Sequence, residues 1–321
     1  MNKKLKTNLV RLVKLLNDGE YHDGTTIGDK LKMTRSAVWK VIKKLVQYGI
    51  QIDSVKGKGY AMQEPLLLLD KNYIKKNLNR SDVELNIFEN IDSTNSYLKS
   101  ADKSSGIQIC LAEQQTKGRG RFNREWHSPF AKNIYLSCLY SFQKDVSELS
   151  GLSLVVGLAV TNVLKMHGVN KKLFVKWPND IIYDGKKISG NLIEIQAETN
   201  GVTHAVIGIG VNVNMLDAEW ISMQEILGEY VDRNIFCVNL LNNIFDYLSR
   251  FEKEGLRGFL NEWKESDCYM NKLIAVTSVN DVVQGVVQGI NEQGHLLLQM
   301  KDGNIRAFSS GDTSVVKGCY S

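Results

Sequence analysis

Apolar residues recur at helical spacing near the start of the chain and at strand-like spacing further on. Leu9, Leu12, Val13 and Leu16 mark an amphipathic first helix, which Asp18-Gly19 ends. Thr25 or Thr26 is expected to cap a second, short helix carrying Ile27 and Leu31. After a break at Lys32-Met33, Thr34 caps a third, with Val38, Ile42 and Leu45 facing inward. The outer face of that third helix carries Arg35, Ser36, Trp39, Lys40, Lys43 and Lys44. Two helices joined by a tight turn, the second basic outside, describe a helix-turn-helix over residues 24–43. Residues 51–55 and 59–62 flank Lys56, Gly57 and Lys58 and predict a hairpin wing, against which Trp39 is expected to be half buried.

Beyond Pro65 the pattern changes. Asp70 is placed to cap a helix through Ile74. Residues 83–88 alternate like a strand and lead into Asp92, Ser93, Thr94 and Asn95, where a helix begins. Residues 152–166 form an apolar helix of the core. Residues 173–176 read as a strand, and Pro178, Asn179 and Asp180 form a polar turn at its end. Asp184-Gly185 between two strand-like runs is a type I′ hairpin signal. Residues 190–195 and 205–214 add two strands, and the glycines at 208 and 210 suggest close approach of the backbone to a ligand. From Lys272 onward, short strands and turns predict a small SH3-like barrel in which Lys317 is a residue to test. The expected class is therefore α+β, in three parts: a winged helix-turn-helix (1–64), a central mixed α/β domain (65–268) and the barrel (269–321).

Charge sharpens the division. Residues 1–64 hold 13 Lys/Arg against 6 Asp/Glu, a surplus of +7, while the remainder holds 27 against 29. A basic first fifth joined to a near-neutral body is the electrostatic footprint of a nucleic-acid-binding module. Arg35, Ser36 and Lys40 are the candidates for groove contacts, with Lys43, Lys44, Lys56 and Lys58 on phosphates. The five cysteines are scattered and form no CxxC pair, so reduced thiols in a cytoplasmic protein are expected. No secretory signal and no membrane span are expected.

One stretch has no apolar period. Residues 114–126, QQTKGRGRFNREW, crowd Lys117, Arg119, Arg121 and Arg124 around Gly118 and Gly120, between two probable strands. Glycine lets the backbone approach a ligand, and arginine forks suit phosphate and carboxylate. There is no GxGxxG and no Walker A sequence.

GRGRxxRxW with Gln115 upstream resembles the biotin-binding loop of biotin protein ligases. IDSTN before it, and KWPND, K-I-S-G and GxGxN after it, occur in that family's order. Behind a helix-turn-helix, this set resembles the bifunctional biotin ligase/biotin operon repressor family over almost the whole chain. Lipoate ligases and octanoyltransferases share the catalytic fold, but not this loop or the N-terminal module.

The resemblance implies a class II synthetase-like central domain. It also implies ATP-dependent formation of biotinyl-5′-AMP, with Mg²⁺, and transfer of biotin to a lysine of a biotin carboxyl carrier protein. Biotin would be held by Ser93, Thr94, Asn95, Gln115, Gly118, Arg119, Gly120, Arg121, Trp126, Lys187, Gly208 and Gly210. ATP and the adenylate would meet Arg119, Arg121, Arg124, Asn179, Lys187, Asn212 and Trp220, with Lys187, Arg121 and Asp180 catalytic and the metal ligands unassigned. Asp180 has a second candidate role, as an ion pair that positions Lys187. Operator DNA and an adenylate-bound homodimer are the implied partners, with no membrane, and segments 131–132 and 194–197 are candidates for the dimer contact. The chain departs from the family in one respect: only seven residues separate Asn212 from Trp220, which implies a reduced ordering step over the adenine. Two alternatives stay open, a biotin-sensing regulator without ligase activity and a ligase whose N-terminal module does not bind DNA.

Overall fold

A computed structural model describes residues 3–4, 7–103, 106–197, 201–217, 219–277, 282–309 and 311–315; Lys317 and Cys319 lie outside them. After a two-residue strand β1 (Lys3–Lys4) come α1 (Thr7–Leu16), α2 (Gly24–Leu31), α3 (Arg35–Gln47) and the paired wing strands β2 (Ile52–Val55) and β3 (Gly59–Met62). Leu9, Leu12, Val13, Leu16, Ile27, Val38 and Leu45 close this module's own core, as their spacing predicts. The turn between α2 and α3 depends on Gly28. Met33 N–H donates to Gly28 O, and a Cβ on Gly28 would lie 2.6 Å from Met33 O. Thr34 caps α3, accepting from Ala37 N–H. The α2 cap is neither Thr25 nor Thr26 but Asp23, whose carboxylate accepts from both their N–H groups.

The outer face of α3 needs one correction. Arg35, Ser36, Lys40 and Lys43 are exposed, as are Lys56 and Lys58 on the wing. Lys44 instead turns inward and pairs with Glu89 of the central domain. The Glu89 side chain has no solvent exposure, and a buried carboxylate needs a counter-charge; Tyr48 Oη donates to it as well, at 2.7 Å. Lys44 is therefore spent on a domain junction rather than offered to phosphate. Trp39 is about half buried, at 51% exposure, with the Lys43 ammonium 5.1 Å from its ring centroid.

The central domain contributes α4 (Lys71–Asn77), β4 (Val83–Asn90), α5 (Thr94–Lys99), β5 (Ile107–Ala112), β6 (Ile134–Phe142), α6 (Leu152–Met166), β7 (Leu173–Lys176), β8 (Asp180–Tyr183), β9 (Lys186–Ala197), β10 (Thr203–Val211), α7 (Met223–Leu227), α8 (Arg233–Glu254) and α9 (Leu260–Ser266). Eight strands form one mixed sheet in the order β1-β4-β5-β6-β10-β9-β8-β7; β4 and β5 run parallel and the other pairs antiparallel. Asp184 and Gly185 both take positive φ, as a type I′ turn between β8 and β9 requires. Helix α6 is apolar on nearly every face because it lies between the sheet and α8, within the main core. Contrary to the sequence expectation, one segment, Val146–Met166, is long and apolar enough to span a bilayer, but two-thirds of its most apolar window (67%) is buried inside the domain.

The C-terminal strands β11 (Leu273–Thr277), β12 (Val282–Ile290), β13 (Leu296–Gln299), β14 (Ile305–Phe308) and β15 (Asp312–Val315) form a five-stranded antiparallel sheet, the last of them not foreseen. Trp177 Nε1–H donates to Gly294 O and Thr313 Oγ1–H to Trp177 O, fixing this sheet beside the KWPND turn. At the other junction, Tyr48 stacks on Phe130 with centroids 4.2 Å apart, and Phe130 and Ala131 join the core of the N-terminal module. Ala131 is thus buried within the chain, and Lys132 pairs with Glu64 at 3.0 Å.

Candidate active site

The basic loop folds as a narrow hairpin. Trp126 N–H donates to Gly118 O, Gly120 N–H donates to Arg124 O, and Arg119 bridges Glu125. Gly118 is required by close approach, since a Cβ there would lie 2.6 Å from Trp126 O and 2.8 Å from Ser128 Oγ. Beneath the hairpin is a cavity of about 350 Å³. Every expected ligand-site residue other than Gly118 lines it, although they come from segments as far apart as Ser93 and Trp220.

One wall is a hydroxyl and amide network at the start of α5. Ser93 caps that helix. Thr94 donates through N–H and Oγ1 to Gln115 Oε1 at 2.9 and 3.0 Å, and Ser137 Oγ lies 2.7 Å from Thr94 Oγ1 and 2.6 Å from Asn95 Oδ1. Asn95 Nδ2 donates to Glu194 Oε2, and Lys99 and Arg119 also approach that carboxylate. Burial alone would push the Glu194 carboxyl up, but hydrogen bonds from Lys99 and Asn95 and the nearby cations outweigh it and hold the group below its ordinary value. Gly208 leaves room for this network, because a Cβ there would overlap the Asn95 amide.

Further along the sheet lies an apolar floor. Gly190 and Gly210 face each other across β9 and β10, and the Trp126 ring lies over both; a Cβ on Gly210 would overlap the indole, and one on Gly190 would lie 3.2 Å from it. The two glycines therefore admit a side chain of the site rather than only a ligand. The Lys187 ammonium folds back to this level, 5.1 Å from the Trp126 ring centroid and 2.7 Å from Asp180 Oδ1. The hydroxyl wall stands at the Gly208–Leu192 pair and the ammonium near the Gly210–Gly190 pair, two residues or about 7 Å along the strand. A polar wall, a short apolar floor and a cation in sequence fit a ligand with a polar ring, an aliphatic arm and a terminal carboxylate.

Cations extend the cavity on the side of the C-terminal sheet. Arg121 Nη1 lies 3.5 Å from Asn179 Oδ1 and 3.4 Å from Gly311 O. Asn179 is held by two main-chain links to Asn191 and Asn212 by a bond to Lys187 O. Trp220 stacks on His127, with centroids 5.7 Å apart and rings within 15° of parallel, giving a flat aromatic surface at the edge. A guanidinium, an ammonium and an aromatic face around one space suit a nucleotide.

Sequence reasoning did not single out Ser137, His127, Tyr135, Asn191 or Met215. Ser137 and Asn191 left a signal, as polar residues inside apolar strands; the others read as ordinary core or loop.

Residues 87–212 match the biotin/lipoate A/B protein ligase family, 9–61 an HTH domain and 269–316 the biotin protein ligase C-terminal domain. The chain is 37% identical to the bifunctional ligase/repressor BirA of Salmonella typhimurium (95% of this chain, 96% of that one) and 36% identical to that of Escherichia coli (97% and 98%). Among solved structures it resembles the biotin protein ligase of Aquifex aeolicus in complex with biotin and ATP, with a TM-score of 0.64 and 28% identity over 73% of this chain and 98% of that one. With the helix-turn-helix, the ligase core and the C-terminal domain all present in order, the chain belongs to the bifunctional biotin ligase/repressor family.

Proposed function

We propose that the cavity under the basic hairpin binds biotin and ATP side by side and joins them as biotinyl-5′-AMP. The observation that carries this is the order of groups along β9 and β10: hydroxyls and amides, then the Trp126 floor, then the Lys187 ammonium. The ureido ring of biotin needs both donors and acceptors, which Ser93, Thr94, Asn95 and Gln115 supply. Its valeryl arm crosses Trp126, and its carboxylate reaches Lys187.

The carboxylate oxygen attacks the α-phosphorus of ATP, the bond to the bridging oxygen breaks, and pyrophosphate leaves. Two anions must meet, so fixed cations supply most of the help. Lys187 bridges carboxylate and α-phosphate, while Arg119, Arg121 and Arg124 balance the remaining charge. Asp180 orients Lys187, and Trp220 with Asn212 meets the adenine nucleoside. In the second half-reaction the amine of a carrier lysine attacks the mixed anhydride, forming an amide and releasing AMP. Mg²⁺ would supply further charge neutralisation on the phosphates when bound. The described residues contain no cluster of three or more metal-ligating side chains, and Asn179 and Asp180 offer the one or two oxygen donors such an ion takes from protein.

The N-terminal module binds operator DNA through Arg35, Ser36, Lys40, Lys43, Lys56 and Lys58, with the adenylate favouring a DNA-binding homodimer. The carrier substrate is the biotin carboxyl carrier protein. Four buried thiols, Cys110, Cys138, Cys237 and Cys268, suit a reducing cytoplasm.

The test is the intact mass of a biotin carrier domain after incubation with this protein, Mg²⁺, ATP and biotin. An ATP-dependent gain of one biotinyl group is expected. No gain, on a carrier that another ligase does modify, would leave a biotin-responsive regulator.

A further inference from the structure

The three arginines of the basic loop are held in two different ways. Arg119 is anchored on the α5 side, where its Nη2 donates to Ser96 Oγ at 3.1 Å and lies 3.9 Å from Glu194. Arg121 and Arg124 share a neighbour: their guanidinium carbons lie 4.9 and 5.8 Å from the centroid of the Phe122 ring. That ring is 62% exposed. Its residue and the next, Asn123, sit in the left-handed region at φ 54° and 56°. Asparagine tolerates that conformation, but a bulky aromatic residue does so only at a cost. An exposed phenylalanine is ordinary by itself. One held in a costly backbone conformation, beside two cations that line the cavity, calls for a reason.

The electrostatics supply one. Two guanidiniums brought close together repel, and the contacts of Arg121 to Asn179 Oδ1 and Gly311 O, long at 3.5 and 3.4 Å, do not remove that repulsion. An aromatic ring carries negative charge on its faces and attracts both. A ring face takes up no hydrogen-bond donor of a guanidinium, so it gathers the two forks without competing with phosphate oxygens. We propose that Phe122 is a positioning residue that keeps Arg121 and Arg124 gathered at the cavity for the phosphates of ATP. This rests on the assignment of those arginines to the nucleotide.

The test uses the full chain and the adenylate-forming half-reaction, followed by pyrophosphate exchange. Phe122→Leu keeps an apolar side chain and the same backbone demand but removes the aromatic faces. Phe122→Trp keeps them. For Phe122→Leu the expected result is a rise of about three- to tenfold in KM for ATP, with kcat and KM for biotin within about twofold of the parent. Phe122→Trp is expected at or below the parental KM for ATP. Melting temperatures of both variants should match the parent, since the ring is largely exposed. A parental KM for ATP in Phe122→Leu overturns the proposal, and so does a Phe122→Trp variant as impaired as Phe122→Leu. A parental KM for ATP beside a raised KM for the carrier, read in the complete transfer reaction, also overturns it and makes the ring a docking contact. Arg121→Gln and Arg124→Gln separate the two levels. If they raise KM for ATP and Phe122→Leu does not, only the positioning role falls; if neither raises it, the assignment of the arginines falls too.

Discussion

Lys187 Nζ lies 2.7 Å from Asp180 Oδ1, and both side chains are partly buried at the cavity. The pair joins the KWPND turn to the start of β9, so the carboxylate that aims the ammonium comes from the neighbouring strand. If Lys187 meets the developing charge, Lys187→Met should lower the rate of adenylate formation on the order of 10²- to 10³-fold. Asp180→Asn keeps the shape and loses the charge, and should cost on the order of tenfold, mostly in kcat. Pyrophosphate exchange measures both. A Lys187→Met variant within a few-fold of the parent would remove Lys187 from the chemistry.

Gly210 supports the Trp126 ring by having no side chain. In Gly210→Ala the new Cβ would overlap the indole, within 2.7 Å of its Nε1, so the ring must leave the floor of the cavity. Biotin affinity should fall by roughly tenfold or more, with a shift in tryptophan emission. Gly120→Ala is a contrast in the same loop. Its Cβ would meet nothing closer than Arg124 O at 3.7 Å, so a much smaller loss is expected. Titration calorimetry with biotin compares the two, and equal losses would mean that loop conformation, not contact with Trp126, explains the glycines.

The positions of Gly210 and Trp126 also show where sequence reasoning stopped. The strand-borne motifs were legible because a strand delivers residues to one face at fixed spacing, and the Asp184-Gly185 turn sets the pairs of β8 and β9 next to it, up to a bulge between Ile181 and Ile182. What each glycine makes room for was not legible: Gly208 and Gly210 yield to Asn95 and Trp126, partners over eighty residues away. Lys44 departs from its sequence expectation for the same reason. Helical periodicity puts it on the polar face, but a buried Glu89 from another domain decides where it points. Asp23 was missed as a cap because two threonines just after it carry the same signal. Ser137 reads as one polar residue in an apolar strand until folding brings Thr94 and Asn95 to it.

Arg233 and Glu113 form an ion pair at 2.7 Å with no exposure of either side chain. Arg233 also donates to Asn133 O and Leu67 O, and Glu113 accepts from Leu69 N–H, so the pair holds the linker onto the central sheet. Burial alone would lower the Arg233 pKa, but the charge and hydrogen bond of Glu113, together with the nearby Tyr230 and Tyr135 hydroxyls, outweigh it and hold the guanidinium above its ordinary value. Arg233→Met leaves a buried carboxylate without its partner and should destabilise the central domain by about 3–5 kcal/mol. Denaturant unfolding gives the loss, and proteolysis near residues 65–70 should quicken in step. The double variant Arg233→Met/Glu113→Gln should recover part of the stability, because it removes the stranded charge. A double variant no better than the single one would mean that the broken main-chain hydrogen bonds, rather than the charge, carry the effect.

The inward turn of Lys44 separates it from the other lysines of α3 in a measurable way. Removing one lysine from a phosphate should reduce the slope of log K against log salt by about 0.9. Lys40 and Lys43 are exposed on the outer face. Lys40→Met and Lys43→Met should each flatten the salt dependence of operator binding by about that much if they touch phosphate. Lys44 is engaged with Glu89, so Lys44→Met should leave the slope unchanged. Its effect belongs at the domain junction. Without the ammonium, the buried Glu89 carboxylate keeps the Tyr48 hydroxyl but loses the Lys44 charge, the stack of Tyr48 on Phe130 loses a neighbour, and the melting temperature should fall. Glu89→Gln should suppress that fall by removing the charge that Lys44 answers. Gel shifts at several salt concentrations, read beside melting curves of the same variants, distinguish the roles. A flattened slope in Lys44→Met with an unchanged melting temperature would return Lys44 to the DNA face.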